Sequence, residues 1–171
     1  MATNLSDGYI YFIESDAADN QNWVTTPGNI DLDNFTEGTD YCKLEIPKQW
    51  AKECYTGIQV EVASGGKGFQ TRTSRRYYKV MIQSNEEIGS DIHNIDKFFT
   101  SDRHTASSSS TFTDYYLVIC RDESSNDFEE FTDSSNNRRD YCKGVVTKCM
   151  IIWNESENLR GKVQIEFMSS W

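Results

Sequence analysis

The chain has 171 residues, with 27 acidic and 17 basic side chains and a formal net charge of −10. That balance excludes a general nucleic-acid binder, which needs a basic face to displace counterions from phosphate. Hydrophobic residues make up 37% and aromatic residues 13%, with no run of about 18 apolar residues to span a membrane as a helix and too many aromatics for a disordered chain.

Gly8 to Ile13 is a short β run. The segment 14–40 is polar and turn-rich, with Pro27-Gly28 as its clearest turn. Cys42, Leu44 and Ile46 alternate with Lys43 and Glu45, which predicts a half-buried strand stopped by Pro47. Trp50 to Cys54 is too short to assign. Thr56 to Val62 alternates again, with Ile58, Val60 and Val62 on one face. The Gly-rich stretch 63–74 then reads as a flexible link, followed by a strand from Arg75 to Gln83 with Tyr78, Val80 and Ile82 inward. Together these predict a hairpin with a long mobile tip.

One helix is predicted, at about 84–99. Ser84 and Glu87 have capping-box spacing, and Ile88, Ile92, Ile95 and Phe99 form one apolar stripe. A Ser/Thr-rich linker covers 100–114. Tyr115 to Cys120 is apolar on both faces, the pattern of a central strand buried on two sides. The segment 121–140 is acidic, with Phe128 and Phe131 as expected anchors. Tyr141 to Trp153 is a long strand with few charges. After a polar turn, Val163, Ile165 and Phe167 alternate with Lys162, Gln164 and Glu166 in a closing strand with one wet face. The expected fold is therefore mainly β: an antiparallel β-sandwich or partly closed barrel with one flanking α-helix, in a single domain over 1–171. Residues 1–55 supply N-terminal strands and turns, 56–168 the core sandwich, and 63–76 and 121–140 the projecting loops.

Five cysteines, Cys42, Cys54, Cys120, Cys142 and Cys149, give an odd count without a C-x-x-C pair. Free thiols made in a reducing compartment are expected. Cys142 and Cys149 stand seven apart on one strand and are expected on opposite faces. Met1 to Asp7 has neither a basic n-region nor an apolar h-region, so no secretory signal is expected.

No constellation carries catalytic chemistry. His93 and His104 have no nucleophile or orienting acid in a local motif. Gly65-Gly-Lys-Gly68 lacks the spacing of a phosphate loop, and no helix follows it. Asp31, Asp33, Asn34, Glu37 and Asp40 lack the spacing of an EF-hand calcium loop. The chain is thus not expected to be an enzyme, nor to hold a cofactor or metal.

The charge pattern points instead to contacts between copies. Lys67, Arg72, Arg75, Arg76 and Lys79 form a basic arm on an acidic chain, and Arg138 and Arg139 a smaller basic pair. Asp122, Glu123, Asp127, Glu129, Glu130 and Asp133 form a dense acidic run around Phe128 and Phe131. Such complementary patches set register and specificity when one copy's arm meets the next copy's loop. Tyr9, Tyr11, Phe12, Tyr77 and Trp171 are candidate aromatic anchors for the same contacts.

From about residue 75 onward the order of elements carries a resemblance. The strand Tyr77 to Gln83 leads into the helix of Ile88, Ile92, Ile95 and Phe99. Then come Asp114 to Ile119, the long strand Lys143 to Trp153, and Gly161 to Phe167. Over about 56–168 this resembles the tail tube proteins of tailed viruses and the related secretion-tube proteins. The resemblance implies a β-sandwich or barrel with one helix, which forms hexameric rings stacked into a tube. The chain's partners would then be itself and other tail proteins, with DNA only a passenger in the lumen and no membrane involved. Its place would be the virion tail, after synthesis in the host cytoplasm. An acidic lumen would keep DNA from adhering to the wall. The competing expectation is a lectin- or adhesin-like binding module, with Trp23 and Trp50 stacking on sugars and the 31–40 carboxylates holding calcium.

Overall fold

The structure is a computed structural model. It describes residues 5–14, 32–62, 68–84, 91–100, 114–154 and 160–169, and for 56–62 and 68–76 it describes the backbone alone. The predicted turn at Pro27-Gly28, the linker at 101–113 and the start of the predicted helix at 85–90 lie outside these residues.

The fold is mainly β. Its strands are β1 (Tyr9–Glu14), β2 (Tyr41–Glu45), β3 (Trp50–Val62), β4 (Gly68–Gln83), β5 (Tyr115–Asp122), β6 (Asp127–Phe128), β7 (Phe131–Thr132), β8 (Arg138–Arg139), β9 (Cys142–Asn154) and β10 (Arg160–Ser169). Among the described residues one helix, α1 (Asp91–Thr100), stands between β4 and β5. All pairings between these strands are antiparallel, in the order β2-β1-β5-β9-β10-β4-β3, and β7 and β8 form a separate small ribbon. The order begins at β2 and ends at β3, and these two do not pair with each other, so the sheet does not close into a barrel. β1 occupies one edge of β5 along Tyr115 to Cys120. β9 and β6 share the other edge, β9 at Tyr115 to Leu117 and β6 at Cys120 and Asp122.

Period-2 burial builds the interior. Ile10 and Phe12 of β1, Leu117 and Ile119 of β5, Val80 and Ile82 of β4, and Val163, Ile165 and Phe167 of β10 enter one cluster. The rings of Phe12 and Phe167 lie 6.3 Å apart and join the two halves of the sandwich. The alternate residues of β1 and β5, Tyr11, Ile13, Tyr116, Val118 and Cys120, form a second cluster under Leu5, Leu32, Phe128 and Tyr141. β5 is therefore buried on both faces, as its unbroken apolar run requires.

α1 lies across the first cluster through Ile92, Ile95 and Phe98. Phe99, expected in the apolar stripe, is half-buried and meets Phe12 edge-on at 5.5 Å. Asp91 in the first turn and Lys97 in the last complement the helix dipole. The helix start that Ser84 was expected to cap lies outside the described residues. The Ser84 hydroxyl accepts the Val163 N–H at 2.8 Å, and the Ser84 N–H donates to the Val163 carbonyl, so Ser84 extends the β4–β10 ladder.

Two irregularities correct the sequence reading. Between Lys148–Glu166 and Val146–Phe167 the β9–β10 register skips Thr147. This bulge inverts the alternation of β9, so Cys142 and Val146 before it and Cys149 and Ile151 after it all pack on the first cluster. Cys142 and Cys149 thus share a face instead of opposing one another, and all five cysteines are free. In the β3–β4 hairpin the register breaks between Thr56–Arg76 and Ile58–Arg72. Beyond that break pairing resumes and continues to Val62–Gly68, so 68–74 is strand where a flexible link was expected. Trp50 to Cys54, left unassigned from the sequence, opens β3.

Candidate functional site

The segment 121–140 is built from two tight turns, and its carboxylates hold their geometry. Asn126, at φ 56°, donates its N–H to the Glu123 carbonyl in the β5–β6 turn. The Asp122 carboxylate accepts from the Ser124 hydroxyl at 2.7 Å and from the Ser125 N–H at 3.0 Å. These bonds, the Ser124 hydroxyl foremost, lower its pKa. Asn136, at φ 63°, closes the β7–β8 turn. There Asp133 accepts from the N–H groups of Asn137 and Ser135, both at 2.9 Å, and from Arg139 Nε at 3.0 Å. The same bonds, led by Asn137, lower its pKa. Phe128 and Phe131 anchor the segment as expected, both buried. The turn tips at 124–127 and 134–138 remain exposed.

Several charges marked as contact candidates are paired within the chain. Glu129 receives Lys52 Nζ from β3 and Arg121 Nη2 from β5. Burial pushes the Glu129 carboxyl up, but hydrogen bonds from these two cations outweigh it and hold the pKa below the usual value. Lys52 also donates to the Glu130 carbonyl at 3.0 Å and stands 5.1 Å from the centre of the Phe131 ring. Phe131 in turn meets Tyr78 edge-on at 5.3 Å, and the Tyr78 hydroxyl accepts the Thr132 N–H. These contacts tie edge strand β3 to the turn segment. Asp127 faces Arg121 at 3.7 Å, and Glu130 faces Arg138 at 3.4 Å with both side chains largely exposed. Lys79 pairs with Glu166 at 3.6 Å. Glu123 donates its N–H to the Asp7 carboxylate at 2.7 Å.

The other candidates fall as follows. Lys67 lies outside the described residues. Arg72, Arg75 and Arg76 lie on β4, where the backbone alone is described. Tyr11 and Phe12 are fully buried and belong to the interior, which corrects their reading as interface anchors. Tyr9 is half-buried beneath Lys43, whose Nζ is 4.9 Å from the ring centre. Tyr77 is 37% exposed and stacks on Tyr55 with ring centroids 4.8 Å apart. Trp171, Trp23, Asp31 and His104 lie outside the described residues. Trp50 is half-buried against the first cluster, with the Arg121 guanidinium 5.9 Å from its ring centre. Asp40 accepts the Thr36 N–H at 2.8 Å. His93 is exposed on α1, with its ring 5.5 Å from that of Trp153.

Among the described residues, no three His, Cys, Asp or Glu side chains are grouped to hold a metal ion. No helix among them is long and apolar enough to cross a membrane. Sequence reasoning missed the Lys52–Glu129–Arg121 clamp and the exposure of Tyr55, Met150 and Ile152. The alternation of β9 carried a signal for the last two, but the bulge at Thr147 obscured it. In comparison with known proteins, no protein-family model matches this chain and no curated protein matches it.

Proposed function

We propose that this chain is a self-assembling structural protein of a virion, a tail tube subunit whose stacked hexameric rings enclose a DNA channel. The observation that carries the reading is the β3–β4 arm. β10 pairs with β4 from Gln83 to Lys79, and Ser169 Oγ accepts the Tyr78 N–H. Beyond that point β3 and β4 continue as a two-stranded ribbon to Val62 and Gly68, with no further described strand beside them. From the Cys54–Tyr78 pair to the Val62–Gly68 pair β3 runs eight residues further, so at about 3.3 Å per residue the overhang reaches roughly 26 Å. A lone two-stranded ribbon is marginal in water and gains stability by lying on another surface. The arm carries Arg72, Arg75 and Arg76, on a chain of net charge −10. A neighbouring copy offers the acidic surface that suits it.

The order of strands and helix supports the same reading, and so does the acidic balance, which favours a lumen that repels DNA. The protein then acts without catalytic groups or cofactors, with itself and other tail proteins as partners. The test is the double reversal Arg75→Glu with Arg76→Glu. Assembly should fail while the circular dichroism spectrum and melting of the single chain stay unchanged. Assembly equal to that of the unaltered protein would sink the arm contact.

A further inference from the structure

The outer face of the sheet has two unlike halves. Over β1 and β5 it is covered by Leu5, Leu32, Phe128 and Tyr141. Over β9, β10, β4 and β3 no described residue packs on it as a second apolar layer. The strand register places Ile152 and Met150 of β9, Met168 of β10, Met81 and Tyr77 of β4 and Tyr55 of β3 on that open half. Ile152 is 55% exposed, and Tyr55, Tyr77 and Met150 are each more than a third exposed. By the same register Lys162, Gln164, Glu166, Lys148 and Lys79 stand between these side chains, so the face is a mixed apolar and charged surface.

The charge of this half opposes that of the chain. Five cations share the open face by register, namely Lys79, Lys143, Lys148, Arg160 and Lys162, against two anions, Glu53 and Glu166. The excess is three positive charges, on a chain whose net charge is −10. The matching excess lies at the β5–β6 turn. The Asp7 carboxylate accepts the Glu123 N–H at 2.7 Å, and Asp122 stands opposite Asp127 across the β5–β6 pair, so four acids gather at this turn. Arg121, 3.7 Å from Asp127, stands among them and leaves three negative charges in excess. The two patches share no residue, so one copy can offer both at once.

We propose that the open face of β9, β10, β4 and β3 receives the acidic β5–β6 turn of a second copy of this chain. A head-to-tail arrangement of these two unlike patches repeats around a ring or along a filament. It rests on the self-assembly reading and adds the pair of surfaces that meet. A nucleic acid suits the basic face less well, because the acidic remainder of the chain repels phosphate.

A charge swap tests this. Variant one is Lys148→Glu with Lys162→Glu, and variant two is Glu123→Lys with Asp127→Lys. All four side chains lie outside the buried clusters, and circular dichroism melts check that each variant folds. Ile152→Asp removes apolar contact from the same face and serves in place of any charge variant that fails to fold. In light scattering, the unaltered protein should assemble. Each variant alone should assemble about tenfold more weakly or worse, because like charges then meet. An equimolar mixture should assemble again, because each variant supplies the complement the other lacks. Unchanged assembly of either variant, or a mixture that stays monomeric, overturns the surface pairing and leaves the self-assembly reading standing. An unaltered protein that stays monomeric overturns both. So does a single-stranded oligonucleotide that binds a monomeric unaltered protein but not variant one.

Discussion

Glu129→Gln tests how the sandwich is locked at its edge. The carboxylate joins Lys52 of β3 to Arg121 of β5, and glutamine keeps the shape while presenting amide hydrogens to one of the two cations. Hydrogen bonds to charged groups contribute about 1.5–3 kcal/mol each, whereas exposed ion pairs contribute about 0–1. Here the Glu129 side chain is 14% exposed, Lys52 27% and Arg121 39%, so both cations keep access to water. Lys52 also retains the Glu130 carbonyl. The expected loss lies between those limits, about 1–2 kcal/mol. At about 2–4 °C per kcal/mol for a chain of this size, the midpoint falls by about 2–8 °C. The pH dependence is the sharper test. Glu129 is lowered in the folded state, so its contribution is complete above the ordinary value of 4.5 and is lost as pH falls through the lower folded value. Urea unfolding of both proteins from pH 7 to pH 3 should show a constant gap at neutral pH. The gap should narrow below 4.5 and close once the wild-type carboxyl is protonated. Equal midpoints at pH 7, or a gap that persists undiminished in acid, would refute the clamp.

Gly144→Ala should destabilise the β9–β10 ladder. A Cβ there lies 2.1 Å from the Met168 carbonyl oxygen and 2.7 Å from Ser169 Cα, both backbone atoms that can yield only by moving β10. A loss of about 1–3 kcal/mol is expected, and thermal melts that match the wild type would contradict the close approach. The thiols should react in two phases. Cys54 is exposed, Cys42, Cys120 and Cys142 are buried, and burial pushes the half-buried Cys149 up to about 11. Thiol titration at pH 8 should therefore find one fast group in the native protein and five in denaturant, and three or more fast groups would contradict the packing.

The legible parts of this fold were those in which local pattern and tertiary burial agree. Tyr115 to Cys120 showed two buried faces through an unbroken apolar run, and Val163 to Phe167 showed one through an unbroken alternation. β9 concealed its faces because Thr147 adds one residue to one side of the ladder, and a bulge of this kind has no composition of its own. Ser84 carried a capping-box spacing, and no local pattern announced that its hydroxyl accepts the N–H of Val163, 79 residues away. The helical stripe named Ile92, Ile95 and Phe99, all of which pack on the core, and it missed Phe98, which is buried beside them. The charges of 72–79 and 121–140 were plain, whereas their partners within the chain were not. Lys52 and Glu129 are 77 residues apart, and no local spacing announces that pair. The open outer face became visible once the register placed Ile152, Met150, Tyr77 and Tyr55 on one side.

The central claim is that this chain builds an assembly of its own copies. Light scattering on the purified protein, with negative-stain images of the same fractions, tests it most directly. The account predicts rings or tubes whose mass is a multiple of 19.7 kDa. A single 19.7 kDa species at every concentration up to the solubility limit would contradict it.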